Sequence, residues 1–294
     1  MKTLLISILQ TFSRTREFIY LFRKRKTLRE RKEMKFLSMI LSGQGFMIDN
    51  YCAMDAQKFK DSLANVIKYL RKDGLGRHLN IIDVGANLGL FTVAFSQFEN
   101  VDVFAYEPFP ESFAYLKENV ERNQLKNVAI YNYGLFDENI TKSIGSPKLD
   151  AHRNRLTRLL KYFDKEETGC KSMYHSTDVE SINVQCKRAD ECRELNTLDS
   201  IDIVKIDVEG AELNVLRGFE DLLKRHKPVL RVEFNPVSFK SSGIDPGDII
   251  RFLLAIGYTH VAIDHNAPDW INRVQQLNSY VYPNKGYDLV FLSL

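Results

Sequence analysis

The sequence predicts an α/β fold, and two observations lead to that prediction. Short apolar runs alternate along the chain with segments whose apolar residues repeat at helical spacing, as in proteins built from successive β and α units. One such run, over residues 81–84, breaks at a glycine loop (85–89) that leads directly into a helical pattern. We therefore expect a Rossmann-like, doubly wound, mostly parallel seven-stranded sheet with an antiparallel edge strand, plus a helical N-terminal extension.

The elements are predicted in chain order from these two periodicities. Strand patterns occupy residues 81–84, 101–106, 128–133, 181–186, 201–206, 229–234, 259–263 and 289–292. Helical patterns occupy residues 55–70, 88–98, 110–120, 189–196, 213–223 and 248–256. We expect the last two strands to pair with each other in antiparallel fashion at one edge of the sheet.

The charge of the chain is concentrated near its N-terminus. The net charge is only +3, yet residues 2–35 contain eleven Lys/Arg and three acidic residues. The body of the protein is therefore slightly acidic, which argues against a nucleic-acid-binding protein. We divide the chain into a basic helical extension (1–50) and one α/β domain (51–294). Residues 1–40 could lie on an anionic membrane surface, pack on the domain as an ordinary solvated helix, or contact a partner subunit.

Other compositional features favour a cytoplasmic protein, with membrane association at the cytoplasmic face as an option. The four cysteines form no C-x-x-C pair, and no run of 18 apolar residues is present. Residues 139–182 interrupt the β–α alternation, are polar, and are interpreted as an insertion. Its basic segment (148–161) could attract an acidic ligand or could form a solvated helix face.

Acidic residues stand at or beside the ends of five predicted strands. They are Asp83, Glu107, Asp137, Asp207 with Glu209, and Glu233. One such acid alone is more often a cap or a solvated loop residue. Because ligands bind beyond the carboxyl ends of parallel strands, the group as a whole predicts a ligand site. Glu107, about 20 residues after the glycine loop, is placed to accept the ribose hydroxyls of an adenosine.

The glycine loop distinguishes between adenosine cofactors. Residues 85–89 lack the G-x-G-x-x-G arrangement that brings a pyrophosphate to a helix N-terminus. Asp83, just before the first glycine, would repel a pyrophosphate and attract the ammonium or sulfonium region of S-adenosylmethionine. The loop therefore favours a methyl donor. A dinucleotide-dependent oxidoreductase of the NAD type and a non-catalytic cofactor-binding scaffold remain the alternatives.

Three motifs make the sequence resemble the FkbM-type S-adenosylmethionine-dependent methyltransferases. They are D-V-G-A-N-L-G (83–89), Y-E-P (106–108) and V-K-I-D-V-E-G-A-E (204–212), the last followed by V-L-R-G (215–218). The resemblance covers roughly residues 78–294. It implies O-methylation of a hydroxyl on a sugar, glycan, polyketide or related small molecule. The chain has R-A-D-E at 188–191 where members usually have T-L-D-D, which leaves the acceptor open.

The resemblance also implies roles for individual residues. We assign these to the cofactor site: Asp83, Gly85, Ala86, Asn87, Gly89, Glu107, Pro108, Leu135, Phe136 and Asp137, the last reaching the adenine amino group. The catalytic candidates are Asp207, Glu209, Lys205 and Glu233. Asp207 and Glu209 could accept the hydroxyl proton directly or hold a divalent cation that acidifies the hydroxyl. Lys205 and Asp207 alternate onto one strand face and could pair, whereas Glu209 and Glu212 could instead cap a helix.

Overall fold

In the part of the chain that the structure describes, the main sheet has eight strands. The computed structural model describes residues 67, 70, 76–147, 179–263, 272–273 and 287–293, all within the compact unit Ala56–Lys148 and Gly169–Leu294. The strands of the main sheet are β1 (Leu79–Val84), β2 (Val101–Tyr106), β3 (Val128–Tyr131), β7 (Ile203–Ile206), β8 (Val229–Phe234), β9 (His260–Ile263), β10 (Asn272–Arg273) and β11 (Tyr287–Leu292). Their spatial order is β10-β9-β11-β8-β7-β1-β2-β3.

Strand direction confirms the predicted fold class. Strands β3, β2, β1, β7 and β8 pair in parallel, whereas β11 is antiparallel to both β8 and β9. The predicted antiparallel pairing of the last two long strands is therefore confirmed. Seven strands have four to six residues. The additional strand β10 has two residues and pairs with β9 at the edge.

Helices connect the parallel strands and cover both faces of the sheet. In the described ranges they are α1 (Leu90–Ser96), α2 (Pro110–Arg122), a 3-10 turn (Ala189–Glu191), α3 (Arg193–Asn196), α4 (Glu212–Gly218), α5 (Glu220–His226), α6 (Pro236–Ser242) and α7 (Pro246–Ala255). The single helix predicted over residues 213–223 is wrong in one respect, because Phe219 separates α4 from α5. Likewise, Cys192 separates the 3-10 turn from α3.

Alternation of side chains along the strands builds the two apolar layers. Ile81 and Ile203 pack on one face with Phe95 of α1, and Ile67 joins the same cluster. Ile82 and Val204 pack on the opposite face, in the cluster that also contains residues of α4, α5 and α7. Neighbouring residues of a strand point to opposite faces, so both faces of the sheet are buried, as a doubly wound sheet requires.

A second sheet corrects one predicted strand. The strand expected over residues 128–133 ends at Tyr131, and residues 134–136 form β4 (Gly134–Phe136) in a separate three-stranded sheet. There β4 pairs in parallel with β6 (Val179–Arg188), and β5 (Ile140–Pro147) pairs with β6 in antiparallel fashion. The predicted insertion (139–182) therefore begins and ends in paired strands. Most of it, residues 148–178, lies outside the described residues, as does the basic segment at 148–161.

The N-terminal extension also lies outside the described residues, so its contact with a membrane or partner stays a prediction. Of the helix predicted over residues 55–70, only Ile67 and Leu70 are described, and both are helical. No helix in the described part of the chain is long and apolar enough to cross a lipid bilayer.

Candidate functional site

A buried lysine lies at the centre of the carboxyl edge of the sheet. Lys205, on β7, is 1% exposed, and its Nζ lies 3.2 Å from Oδ1 of Asp83 and 3.4 Å from Oδ2 of Asp207. The same ammonium donates a hydrogen bond of 3.3 Å to the carbonyl oxygen of Gly85. Asp83 and Lys205 face each other directly across the β1–β7 pair. Lys205 therefore joins the end of β1, the glycine loop and the end of β7.

The two charges of this pair depend on each other. Asp83 has no exposed surface, and its Oδ2 accepts a hydrogen bond of 2.6 Å from the hydroxyl of Thr92 on α1. Burial acts to lower the pKa of Lys205, but the carboxylates of Asp207 and Asp83 outweigh it, and the pKa is raised. Lys205 is therefore charged at neutral pH. A charge buried this deeply is tolerated only because its partners are in place.

The glycine loop packs directly on the segment that follows β7. The N–H groups of Gly85 and Ala86 both donate to the carbonyl oxygen of Tyr106, at 3.0 Å. Gly85 has a φ of +76°, and a Cβ on it would overlap the carbonyl oxygen of Asp207. The first glycine therefore allows the loop to turn and to approach the backbone of Asp207. This contact places the predicted cofactor loop beside the predicted catalytic segment.

Glu107 ties the glycine loop to the end of β2. The residue is 7% exposed. Its Oε2 accepts the N–H of Asn87 and its Oε1 accepts the N–H of Phe109, each at 2.8 Å. Asn87 has a φ of +52° and is exposed. A carboxylate oxygen has a further lone pair, so these bonds orient the group without exhausting it as an acceptor.

A third part of the site comes from β4. Pro108 lies 3.4 Å from where a Cβ of Gly134 would be, and Phe136 shares an apolar cluster with Phe109. Asp137, the next residue, accepts a hydrogen bond of 2.7 Å at Oδ2 from the side-chain amide of Asn214. Its Oδ1 is buried and has no hydrogen-bond partner among the described residues. An unsatisfied buried acceptor requires a donor, which a ligand can supply.

The segment after β7 carries the acidic part of the site. The side chain of Asp207 is 29% exposed, and Glu209 has a φ of +52°. A non-glycine residue in this conformation stores on the order of 1–2 kcal/mol of strain, which the surrounding contacts must offset. Glu212, at the start of α4, accepts the N–H groups of Val208 (3.2 Å) and Gly210 (3.0 Å). The side chain of Glu212 therefore holds the backbone of the turn between β7 and α4.

Three carboxylates of the acidic part come close together. Ligand oxygens of Asp207, Glu209 and Glu233 all lie within 4.8 Å of one another, close enough for one divalent cation to contact all three. Burial and the charge of Asp207 raise the pKa of Glu209 to about 7 and that of Glu233 to about 10. Oε2 of Glu233 is buried and has no hydrogen-bond partner in the described structure. The cluster thus needs a proton or a cation.

The structure corrects the predicted position of one acid, since Asp137 follows β4 of the second sheet. Asp83 and Glu233 lie inside β1 and β8, one residue before each strand ends, as the predicted strand bounds have them. Both oxygens of Asp83 have protein partners, since they face Lys205 and Thr92. A direct contact of Asp83 with a ligand stays a prediction. Glu107 and Asp207 follow their strands as expected, and the predicted pairing of Lys205 with Asp207 is confirmed.

Sequence reasoning missed three supporting residues: Thr92, Asn214 and Ser238. Thr92 holds Asp83, Asn214 holds Asp137, and Ser238 donates a hydrogen bond of 2.9 Å to Oε2 of Glu209. Thr92 could have been found, because it is a polar residue on the apolar face of a predicted helix. Asn214 and Ser238 contact acids that are 77 and 29 residues away in the chain, and no local sequence pattern indicates such a contact.

The strand order and the glycine loop after β1, with an acid after β2, define the class of Rossmann-like methyltransferase folds. Comparison with protein-family models narrows this class, since the model of the methyltransferase FkbM domain matches residues 83–259. The chain belongs to the FkbM family of methyltransferases. The predicted resemblance is thereby confirmed.

Curated relatives are similar over part of their length. Methyltransferase 1 of Beauveria bassiana is 30% identical over 150 residues, which cover 48% of the chain and 58% of that protein. The hexuronic acid methyltransferase AglP of Haloferax volcanii is 29% identical over 58% of the chain and 59% of its own length. The 31-O-demethyl-FK506 methyltransferase FkbM of Streptomyces tacrolimicus is 28% identical over 62% of the chain and 73% of its own length. The chain thus spans less than two thirds of the first two relatives.

The central ion pair leads to a stability prediction. Lys205→Met leaves Asp83 buried without a compensating charge, so we expect the free energy of unfolding to fall by about 3–5 kcal/mol. Urea denaturation measures this change. Adding Asp83→Asn should recover part of the loss, because both charges are then removed. The matched control is Lys224→Met on the exposed side of α5, which should leave the unfolding midpoint nearly unchanged. A loss below about 1 kcal/mol for Lys205→Met would contradict the role given to the pair.

Proposed function

We propose that the protein is an S-adenosylmethionine-dependent O-methyltransferase that acts on a hydroxyl of a sugar, glycan or related small molecule. The observation that carries this proposal is the close packing of Gly85 on the backbone of Asp207. It sets the glycine loop, where the family's cofactor is expected, directly beside a cluster of carboxylates that can receive a proton. Donor and acceptor would therefore meet at one place, as a transfer reaction requires.

The cofactor part of the site fits S-adenosylmethionine. The glycine loop would face the methionine part, Glu107 would accept the ribose hydroxyls, and Oδ1 of Asp137 would accept the adenine amino group. The unpartnered Oδ1 supports the last assignment, because a bound adenine would satisfy it. When bound, this cofactor supplies an activated methyl group on a sulfonium sulfur. Asp83 would support the glycine loop without contacting the cofactor, through its contacts with Lys205 and Thr92.

The acidic part of the site, formed by Asp207, Glu209 and Glu233, has the chemistry needed to activate an alcohol acceptor. A hydroxyl that is methylated must lose its proton, and a base near neutral pKa suits that task. The pKa of Glu209 is raised to about 7, mainly by burial and by the charge of Asp207. Glu209 with Asp207 would accept the proton directly, or both would hold, together with Glu233, a divalent cation that acidifies the hydroxyl. Lys205 would orient Asp207 through their ion pair.

The names of two relatives support the class of acceptor. AglP is described as a hexuronic acid methyltransferase and the Streptomyces protein as a 31-O-demethyl-FK506 methyltransferase. A sugar hydroxyl next to an acidic group is therefore the first acceptor to test. The basic residues at 148–161 favour an acidic acceptor on charge alone.

Calorimetry separates this proposal from its alternatives. We expect S-adenosylhomocysteine to bind with a Kd in the micromolar range, and NAD to bind at least about a hundredfold more weakly, since the loop lacks a pyrophosphate motif. Asp137→Asn should weaken S-adenosylhomocysteine about tenfold, because it removes a charged acceptor from the adenine. Stronger binding of NAD would favour the oxidoreductase. Binding of S-adenosylhomocysteine without turnover of any uronic acid, neutral sugar or macrolide would favour the scaffold.

A substitution at Asp207 tests the division of roles within the site. Asp207→Asn should leave the Kd of S-adenosylhomocysteine within about twofold and lower kcat at least about a hundredfold, since it removes acceptor activation but no cofactor contact. The value of kcat is measured as the rate of S-adenosylhomocysteine formation, with whichever uronic acid, neutral sugar or macrolide the wild type methylates. Asp248→Asn on α7, whose side chain is 46% exposed, is a control for the removal of one negative charge. Equal losses of cofactor affinity and turnover in Asp207→Asn would contradict this division.

Chelation decides between the two versions of acceptor activation. If Glu209 and Asp207 act directly, EDTA should leave turnover unchanged and added Mg²⁺ or Mn²⁺ should leave the thermal midpoint unchanged. If the three carboxylates hold a cation, EDTA should abolish turnover, and Mn²⁺ should raise the midpoint by several degrees in the wild type but not in Glu233→Gln. The thermal readout needs no acceptor, so it applies even before the substrate is known.

A further inference from the structure

The backbone around Glu209 is held in an unusual conformation. Both Glu209 (φ +52°) and Gly210 (φ +104°) lie in the left-handed region. Such a pair of residues turns the chain sharply just after β7. Glu212 fixes the backbone of this turn from one side, since its carboxylate accepts the N–H groups of Val208 and Gly210. These bonds hold the backbone of the turn and do not involve the side chain of Glu209.

A different element fixes that side chain. Ser238, near the start of α6, is 2% exposed, and its hydroxyl donates a hydrogen bond of 2.9 Å to Oε2 of Glu209. Its own N–H donates to the side-chain oxygen of Asn235, which lies between β8 and α6. A Cβ on Gly210 would lie only 2.9 Å from the carbonyl oxygen of Ser238. Helix α6 is therefore pressed against the turn at the position where Gly210 has no side chain.

We propose that Ser238 is the positioning residue for Glu209, holding one carboxylate oxygen so that the other faces the acceptor. This inference rests on the proposed function. A glutamate has three rotatable bonds, and a strained backbone alone does not select their values. A donor that is itself buried and backed by α6 does select them, and pre-organisation of a base contributes to the rate rather than to cofactor binding.

The contacts of a second serine on α6 distinguish the role of Ser238 from a purely structural one. Ser242 belongs to the same helix and also approaches Gly210, at 3.2 Å from where a Cβ would be, but its hydroxyl donates to the carbonyl oxygen of Phe239. It therefore packs on the turn without contacting the carboxylate of Glu209 in any bond the structure shows. Ser242→Ala is the matched control for Ser238→Ala, since both remove one hydroxyl from the same interface.

The test is a double-mutant cycle in the full-length protein. Ser238→Ala should lower kcat about tenfold, with the KM of S-adenosylmethionine and the Kd of S-adenosylhomocysteine within about twofold of the wild type. Ser242→Ala should change neither. In a Glu209→Ala background, Ser238→Ala should cause no further loss, because the group through which it acts is gone. An equal loss in that background, or a rise in KM at unchanged kcat, would overturn the proposal.

A crystal structure of Ser238→Ala gives a second readout that requires no acceptor. The carboxylate of Glu209 should move away from its wild-type position while the backbone of residues 207–210 stays in place, since Glu212 still holds it. An unchanged Glu209 carboxylate would overturn the positioning role. If S-adenosylhomocysteine fails to bind the wild type, the proposed function fails. The crystal structure would still decide whether Ser238 orients Glu209.

Discussion

The ion pair between Lys205 and Asp83 is the interaction on which the site depends. It lies within the sheet, where both side chains are at most 1% exposed, and it fixes the relative position of β1 and β7 at their carboxyl ends. Lys205 also donates a hydrogen bond to the carbonyl oxygen of Gly85, so the same side chain fixes the position of the glycine loop. Because a buried charge cannot lose its partner cheaply, the pair specifies one arrangement of loop and strands.

The site has two parts that meet at this lysine. On one side, Glu107 and Asp137 are oriented by protein donors and keep acceptor capacity. On the other side, three carboxylates crowd together, and burial and the charge of Asp207 raise the pKa of Glu209 and of Glu233. Lys205 is the only cation among the described residues within 4.0 Å of Asp207. The acidic part is therefore incompletely neutralised by the protein, which suits a site that exchanges a proton or holds a cation.

Support for the functional side chains comes from elements distant in sequence. Thr92 of α1 holds Asp83, Asn214 of α4 holds Asp137, and Ser238 of α6 holds Glu209. Each acid on a strand or loop is thus oriented by the helix that packs beside it. The second sheet adds Asp137 through β4, which is why the spacing of acids along the chain did not give their arrangement in space.

The sequence by itself determined the order of the seven longer strands of the main sheet and of most of its helices, together with the glycine loop, Glu107 and the segment that contains Asp207. These depend on local periodicity and on motifs of a few residues. Only the tertiary structure decided that Asp83 is buried against Lys205, that Asp137 follows a strand of a second sheet, and that Glu233 joins Asp207 and Glu209. These arrangements depend on strand register and on contacts between residues far apart in the chain. Local patterns do not encode such contacts, because the partner's position is fixed only when the sheet and its helices pack.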